Sequence, residues 1–179
     1  MERYKFNIIK DEIQFEIFSR DLMKLLYPTF GFQLYGRKGQ AQYGIDGYST
    51  KADIYFQSKH KSKDTIKDQV IIGELINEFN KAKPKIEELS LNKESKYLFF
   101  TTHTQSTIIQ DEAKKLSSKE ITVEYWGWET IESSLNNLYK KENVDFFSKY
   151  YPDFVKNLDN NVIPKQLSIK SVIDLKEFV

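Results

Sequence analysis

The sequence predicts an α/β protein: a central mixed β-sheet flanked by helices. Three observations predict it. From residue 43 to residue 139, short apolar runs of strand length alternate with longer segments whose apolar residues recur at helical spacing. A strand–helix–strand order needs a crossover, so at least one neighbouring pair of strands is parallel. Residues 43–49 and 52–60 are joined only by the polar link Thr50-Lys51, which reads as an antiparallel hairpin.

In chain order, residues 4–9 are a short extended lead-in. Residues 11–27 read as a helix, with Phe15, Phe18, Leu22, Leu25 and Leu26 as its apolar stripe, Asp11 as cap and Pro28 as stop. Glu12 and Glu16 lie on one flank of that stripe. Residues 29–34 are a strand or turn. Gly36, Gly39, Gly44 and Gly47 then punctuate a loop and the first strand of the hairpin. In the second strand Gln57 and Lys59 share a face, being two apart. Residues 62–83 read as a helix with Ile66, Val70, Leu75 (with Ile71 or Ile72) and Phe79 inward. Pro84 is expected to kink or end it, with a further turn or two at 86–91. Residues 96–102 form a buried strand, and 105–116 a helix with Ile108, Ile109, Ala113 and Leu116 inward. Residues 121–126 form another strand, and 128–139 another helix. A last helix is expected over 146–158, interrupted by Pro152. The tail after Asp159 is Asn-rich and ends with one short apolar run, 172–175.

A chain of 179 residues, 40% hydrophobic and 30% charged, supports one core of ordinary size and has the composition of a globular protein. The net charge of +1 means that any nucleic-acid affinity must come from a local patch. The basic residues are nearly all lysine; the arginines are Arg3, Arg20 and Arg37. The lack of cysteine excludes disulfides and thiolate metal sites. The start, MERYKFNIIKDE, has no signal-peptide core, and no apolar run approaches a membrane span. A cytoplasmic protein without a membrane partner is expected.

The chemistry concentrates in residues 35–60. Asp46 and Gln57 offer oxygens to a hard divalent cation, as does the backbone carbonyl of Ser58, and Glu16 adds a carboxylate from the first helix. Lys59 can orient water or stabilise developing negative charge. Phosphodiester cleavage needs such a cation to activate water and offset charge in the transition state. Taken singly, each residue has a plainer reading: Lys59 a solvated strand-end lysine, Gln57 an exposed strand position, Asp46 a turn acid beside Gly47. Arg37 and Lys38 in the glycine loop, with Lys61, Lys63, His60 and Lys67 after Lys59, form two basic segments suited to phosphates. The alternative is a charged face in solvent, with Asp64 and Asp68 interspersed. Gln40 and Gln42 can reach bases or phosphates, or can brace the loop. His103 reads as a surface residue capping the next helix. Trp126 and Trp128 read as core packing.

Three segments carry a resemblance: FE-x-x-x-x-x-L (Phe15 to Leu22), G-R-x-G-Q-x-Q-x-G-I-D (Gly36 to Asp46) and Q-x-K (Gln57 to Lys59). Together they resemble the PD-(D/E)xK nuclease superfamily, closest to its Mrr-like branch of restriction-endonuclease-type effector domains in bacterial anti-phage proteins. The resemblance covers roughly residues 11–140. It implies a restriction-endonuclease-like fold over 1–158, with 159–179 as a tail or linker. It implies catalytic roles for Asp46, Gln57, Lys59 and Glu16, with Mg2+ (Mn2+ substituting) held by Asp46, Glu16, Gln57 and Ser58. Gln57 stands where many members carry a second acid, and Ile45 where many carry proline. The implied activity is endonucleolytic hydrolysis of double-stranded DNA in anti-phage defence. The chain would act as a homo-oligomer, with a sensor or NTPase module or a partner protein. The rival expectation is an inactive nucleic-acid-binding or assembly module of the same fold.

Overall fold

The computed structural model describes residues 4–36, 40–61, 65–91, 94–139 and 141–157. It is α/β, with a five-stranded mixed sheet flanked by helices. The chain divides into two compact units, residues 1–138 and 139–179. The first contains the whole sheet.

The helix α1 (Glu12–Leu26) begins where the Asp11 carboxylate accepts the amide of Gln14 at 2.8 Å. It buries Phe15, Phe18, Ser19, Leu22 and Met23, while Leu25 and Leu26 stay half-buried. The strands β1 (Gln33–Leu34), β2 (Gly47–Ser49) and β3 (Ile54–Lys59) pair antiparallel in turn, so the predicted hairpin is present. The first hairpin strand is shorter than the apolar run suggests. Tyr43 and Gly44 both take positive φ, +51° and +70°, and turn the chain before β2 begins.

Parallel pairing follows through β4 (Ser95–Thr101) and β5 (Ile121–Trp126), giving the order β1-β2-β3-β4-β5. The two crossovers carry α2 (Asp68–Leu89) and α3 (Thr107–Leu116). Equal handedness puts both helices on one face. There Ile71, Leu75, Phe79, Ala82 and Ile86 of α2, with Ile109 and Ala113 of α3, pack on Tyr55, Tyr97, Phe99, Val123 and Tyr125. Strand residues of the opposite parity, such as Phe56 and Phe100, face the layer of α1 and α4 (Trp128–Leu138), where the Phe18 and Trp128 rings lie 6.3 Å apart. The N-terminal lead-in is pinned to α4: Tyr4 N–H donates to Asn136 and Phe6 N–H to Glu132.

Three expectations need correcting. Pro84 neither ends nor divides α2, which runs through it to Leu89. Pro84 and Asn80 both face solvent, so the carbonyl that proline leaves without an amide is open to water. The inward stripe of α2 is Ile71, Leu75 and Phe79, continued by Ala82 and Ile86, whereas Val70 is exposed; on α3, Ile108 is exposed as well. His103 is buried, not a surface cap: its Nε2 lies 3.1 Å from Asp68 Oδ1 at the start of α2. Of the expected helix over 62–83, residues 62–64 lie outside the described residues, and 65–67 are not helical: α2 begins at Asp68.

In the second unit, a 3-10 turn at Lys141–Asn143 leads into α5 (Val144–Tyr150), and residues 152–157 are again helical. Pro152 opens that last segment, a position where its missing amide proton matters least. Tyr139, Phe147 and Phe154 form an aromatic cluster, with ring centroids 4.9–5.8 Å apart. Among the described residues, no helix is long and apolar enough to cross a membrane.

Candidate active site at the end of strand β3

Asp46 sits between the turn at Tyr43-Gly44 and strand β2. Its amide donates to the Phe56 carbonyl at 2.8 Å and its carbonyl accepts the Tyr35 amide at 2.7 Å, so the ladder fixes its backbone. Its side chain is buried, and Oδ2 accepts the Ser58 amide at 2.7 Å. Burial pushes its carboxyl from 3.8 up to about 7. The Ser58 amide opposes that rise, the charge of Glu16 adds to it, and Lys59 and the Gln57 side chain oppose it.

Those influences place Glu16, Gln57, Ser58 and Lys59 around Asp46. Glu16, on the half-buried flank of α1, has its own carboxyl raised, by burial first and then by Glu12, with Lys59 pulling the other way. Glu12 is exposed and acts on Glu16 rather than on Asp46. The helix acid that reaches the centre is therefore Glu16.

Gln57 is only 4% exposed, so it is not an exposed strand position. Its Oε1 is buried without a hydrogen-bond partner, as is the Ser58 hydroxyl. Leaving such an oxygen unpaired costs roughly 1–3 kcal/mol. Beside a buried aspartate, the Gln57 oxygen makes a centre that its protein neighbours do not satisfy. An all-oxygen donor set of one carboxylate, one carboxamide oxygen and the neighbouring backbone carbonyl of Ser58 fits a hard cation such as Mg2+. Glu16 adds a second carboxylate from α1. Among the described residues no three His, Cys, Asp or Glu side chains cluster as metal ligands. The set is thus poor in charge and depends on neutral oxygens.

Lys59, at the end of β3, lies 3.8 Å from Glu78 of α2. Lys61 pairs with Glu74, one turn earlier on that helix, and its ammonium is largely covered. Gln42, half-buried, donates to the Tyr35 carbonyl at 3.4 Å and so braces the loop. Gln40 is exposed and lines a surface cavity of about 460 Å³ with Gln33, Tyr35, Tyr43 and Tyr48. Arg37, Lys38, Lys63 and the 159–179 tail lie outside the described residues.

Sequence reasoning missed Glu78. The signal for it was present: two acids four apart on the helix after Gln-x-Lys, facing two lysines two apart on the strand. Comparison of the chain with protein-family models, with curated proteins and with solved structures finds no match.

Proposed function

We propose that this chain is a metal-dependent endonuclease of restriction-endonuclease-like fold that hydrolyses DNA phosphodiester bonds, with anti-phage defence as its setting. One observation carries the reading. A buried aspartate near neutral pKa, an unpartnered glutamine oxygen and a lysine share the end of one strand pair, with a glutamate acting on them from the first helix. A fold has no structural need for that set: the buried aspartate and the unpartnered glutamine oxygen each cost stability where they stand.

Asp46, Gln57, Glu16 and Ser58 would hold the cation. When bound, Mg2+ or Mn2+ would supply Lewis acidity at the scissile phosphate and activate the attacking water. The chain's own residues do the remainder. Asp46 gives up its proton to bind cation, so protons and metal compete for it. Lys59 presents its ammonium beside the same centre, where it opposes negative charge that grows as the P–O bond breaks. The Ser58 amide holds the Asp46 carboxylate in one orientation.

The rival, a nucleic-acid-binding module without catalysis, draws support from the small number of acids at the centre. The test is incubation of the protein with supercoiled plasmid, with and without Mg2+ or Mn2+, beside Asp46→Ala and Lys59→Ala. Metal-dependent nicking or linearisation is expected, with each substitution slowing it about 100-fold or more. Cleavage that both substitutions leave unchanged would remove these residues from the site. Intact plasmid with salt-sensitive binding would favour the rival.

A further inference from the structure

We infer that Glu78 of α2 is a positioning residue of this site, holding the Lys59 ammonium in place; the inference rests on the nuclease reading for its consequence and on geometry for its basis.

Two contacts tie Glu78 to the centre. Its carboxylate, 13% exposed, lies 3.8 Å from Lys59 Nζ, itself 26% exposed. Its backbone abuts the turn that delivers Asp46: a Cβ added to Gly44 would lie 2.3 Å from the Glu78 carbonyl oxygen, so only glycine lets α2 come this close. The buried Tyr97 hydroxyl donates to the Gly44 carbonyl at 3.0 Å, and burial holds that phenol well above its ordinary pKa, with the charges of Glu78 and then Asp46 adding to the rise. Glu78 is thus built against both arms of the site, the Asp46 turn and the Lys59 strand end. Its second ion pair, with Lys81 at 3.1 Å, is on the outer surface, where Lys81 is half exposed.

A lysine has a flexible four-carbon stem and many rotamers, so an ammonium that must meet one phosphate oxygen gains from a fixed partner. The Lys59 charge also reaches Glu16 of the α1 layer, where it opposes the rise of that carboxyl, but the ion pair of Lys59 is with Glu78 of α2. An acid that only stabilised the fold would leave the catalytic step unchanged when removed.

The test uses the whole chain carrying Glu78→Gln, which keeps the shape and removes the charge, with Glu78→Asp as rescue and Lys81→Ala as control. Two readouts are taken. The first is labelling of individual lysines by an amine-reactive ester, followed by mass spectrometry on protein without metal or DNA. Lys59 is expected to label several-fold faster in Glu78→Gln, with Lys61 unchanged and Lys81→Ala like wild type at Lys59. The second is plasmid cleavage: kcat is expected to fall about 10-fold or more with KM nearly constant, and Glu78→Asp to recover part of the loss. Unchanged Lys59 labelling in Glu78→Gln overturns the inference, and so does an unchanged kcat. If the wild-type chain cleaves nothing, the nuclease reading fails by itself, and the labelling result still decides whether Glu78 holds Lys59.

Discussion

Asp46 is protonated through much of the neutral range because burial removes water from its carboxylate faster than Ser58, Gln57 and Lys59 replace it. In an unfolded chain it titrates near 3.8, in the fold near 7. Between those values the native state binds the extra proton, so its contribution to stability is intact at acid pH and lost as pH rises through about 7. Asp46→Asn removes the titration. Its stability is expected to match that of the wild type near pH 4 and to exceed it at pH 8 by on the order of a few kcal/mol, read as a higher melting temperature; thermal melts at both pH values check this. Cation binding runs the other way, weakening as pH falls below about 7, since the metal must displace the proton. Gln57→Glu adds a second acid beside Asp46, and in the absence of cation the two carboxylates oppose each other's ionisation. Calorimetric titration of Mn2+ into that variant is expected to show about tenfold tighter binding at pH 8, with the gain shrinking toward pH 6.

At the scale of elements, α2 packs closely against the turn before β2. Gly44→Ala places a methyl group 2.3 Å from the Glu78 carbonyl oxygen at φ +70°, and is expected to cost roughly 2–4 kcal/mol in urea unfolding. Gly73, exposed on the same helix with nothing within 4 Å of an added Cβ, predicts the opposite sign: Gly73→Ala is expected to stabilise by roughly 0.5–1 kcal/mol. This contrast also marks what the sequence made legible. Alternating periods identified the hairpin and both crossovers, because apolar spacing is local. The turn at Tyr43-Gly44 was read as strand, since a short apolar run beside a glycine fits an extended segment as well as it fits a turn. Pro84 was read as a break, since the solvent that tolerates its unpaired carbonyl is a tertiary fact. The site divides in the same way. Asp46, Gln57 and Lys59 stand in one stretch of chain and could be paired by strand phase. Glu78 and the burial of His103 depend on which helix face meets which strand end, and single-sequence spacing does not carry that.

Over the whole molecule, opposite charges nearly cancel in number: the net charge is +1. At the end of β3, lysines are matched by acids of α2: Lys59 with Glu78, Lys61 with Glu74. A protein that binds DNA with few uncommitted lysines releases few counterions, and each phosphate contact contributes about −0.9 to the slope of log Kobs against log salt concentration. If the chain binds duplex DNA as proposed, its slope is expected to be shallow, of magnitude below about 4. The Glu74–Lys61 pair then gives a lever that touches neither Asp46 nor Lys59. Glu74→Gln frees the Lys61 ammonium for a phosphate, and is expected to steepen the slope by about one and to tighten binding at low salt while leaving it nearly unchanged at high salt. Fluorescence anisotropy of a labelled duplex across a salt series, in EDTA so that no cleavage intervenes, measures both quantities. A slope that does not move in Glu74→Gln would mean that Lys61 never meets the backbone, and that the acids of α2 serve the fold at that end of the strand and the reacting centre only at Lys59.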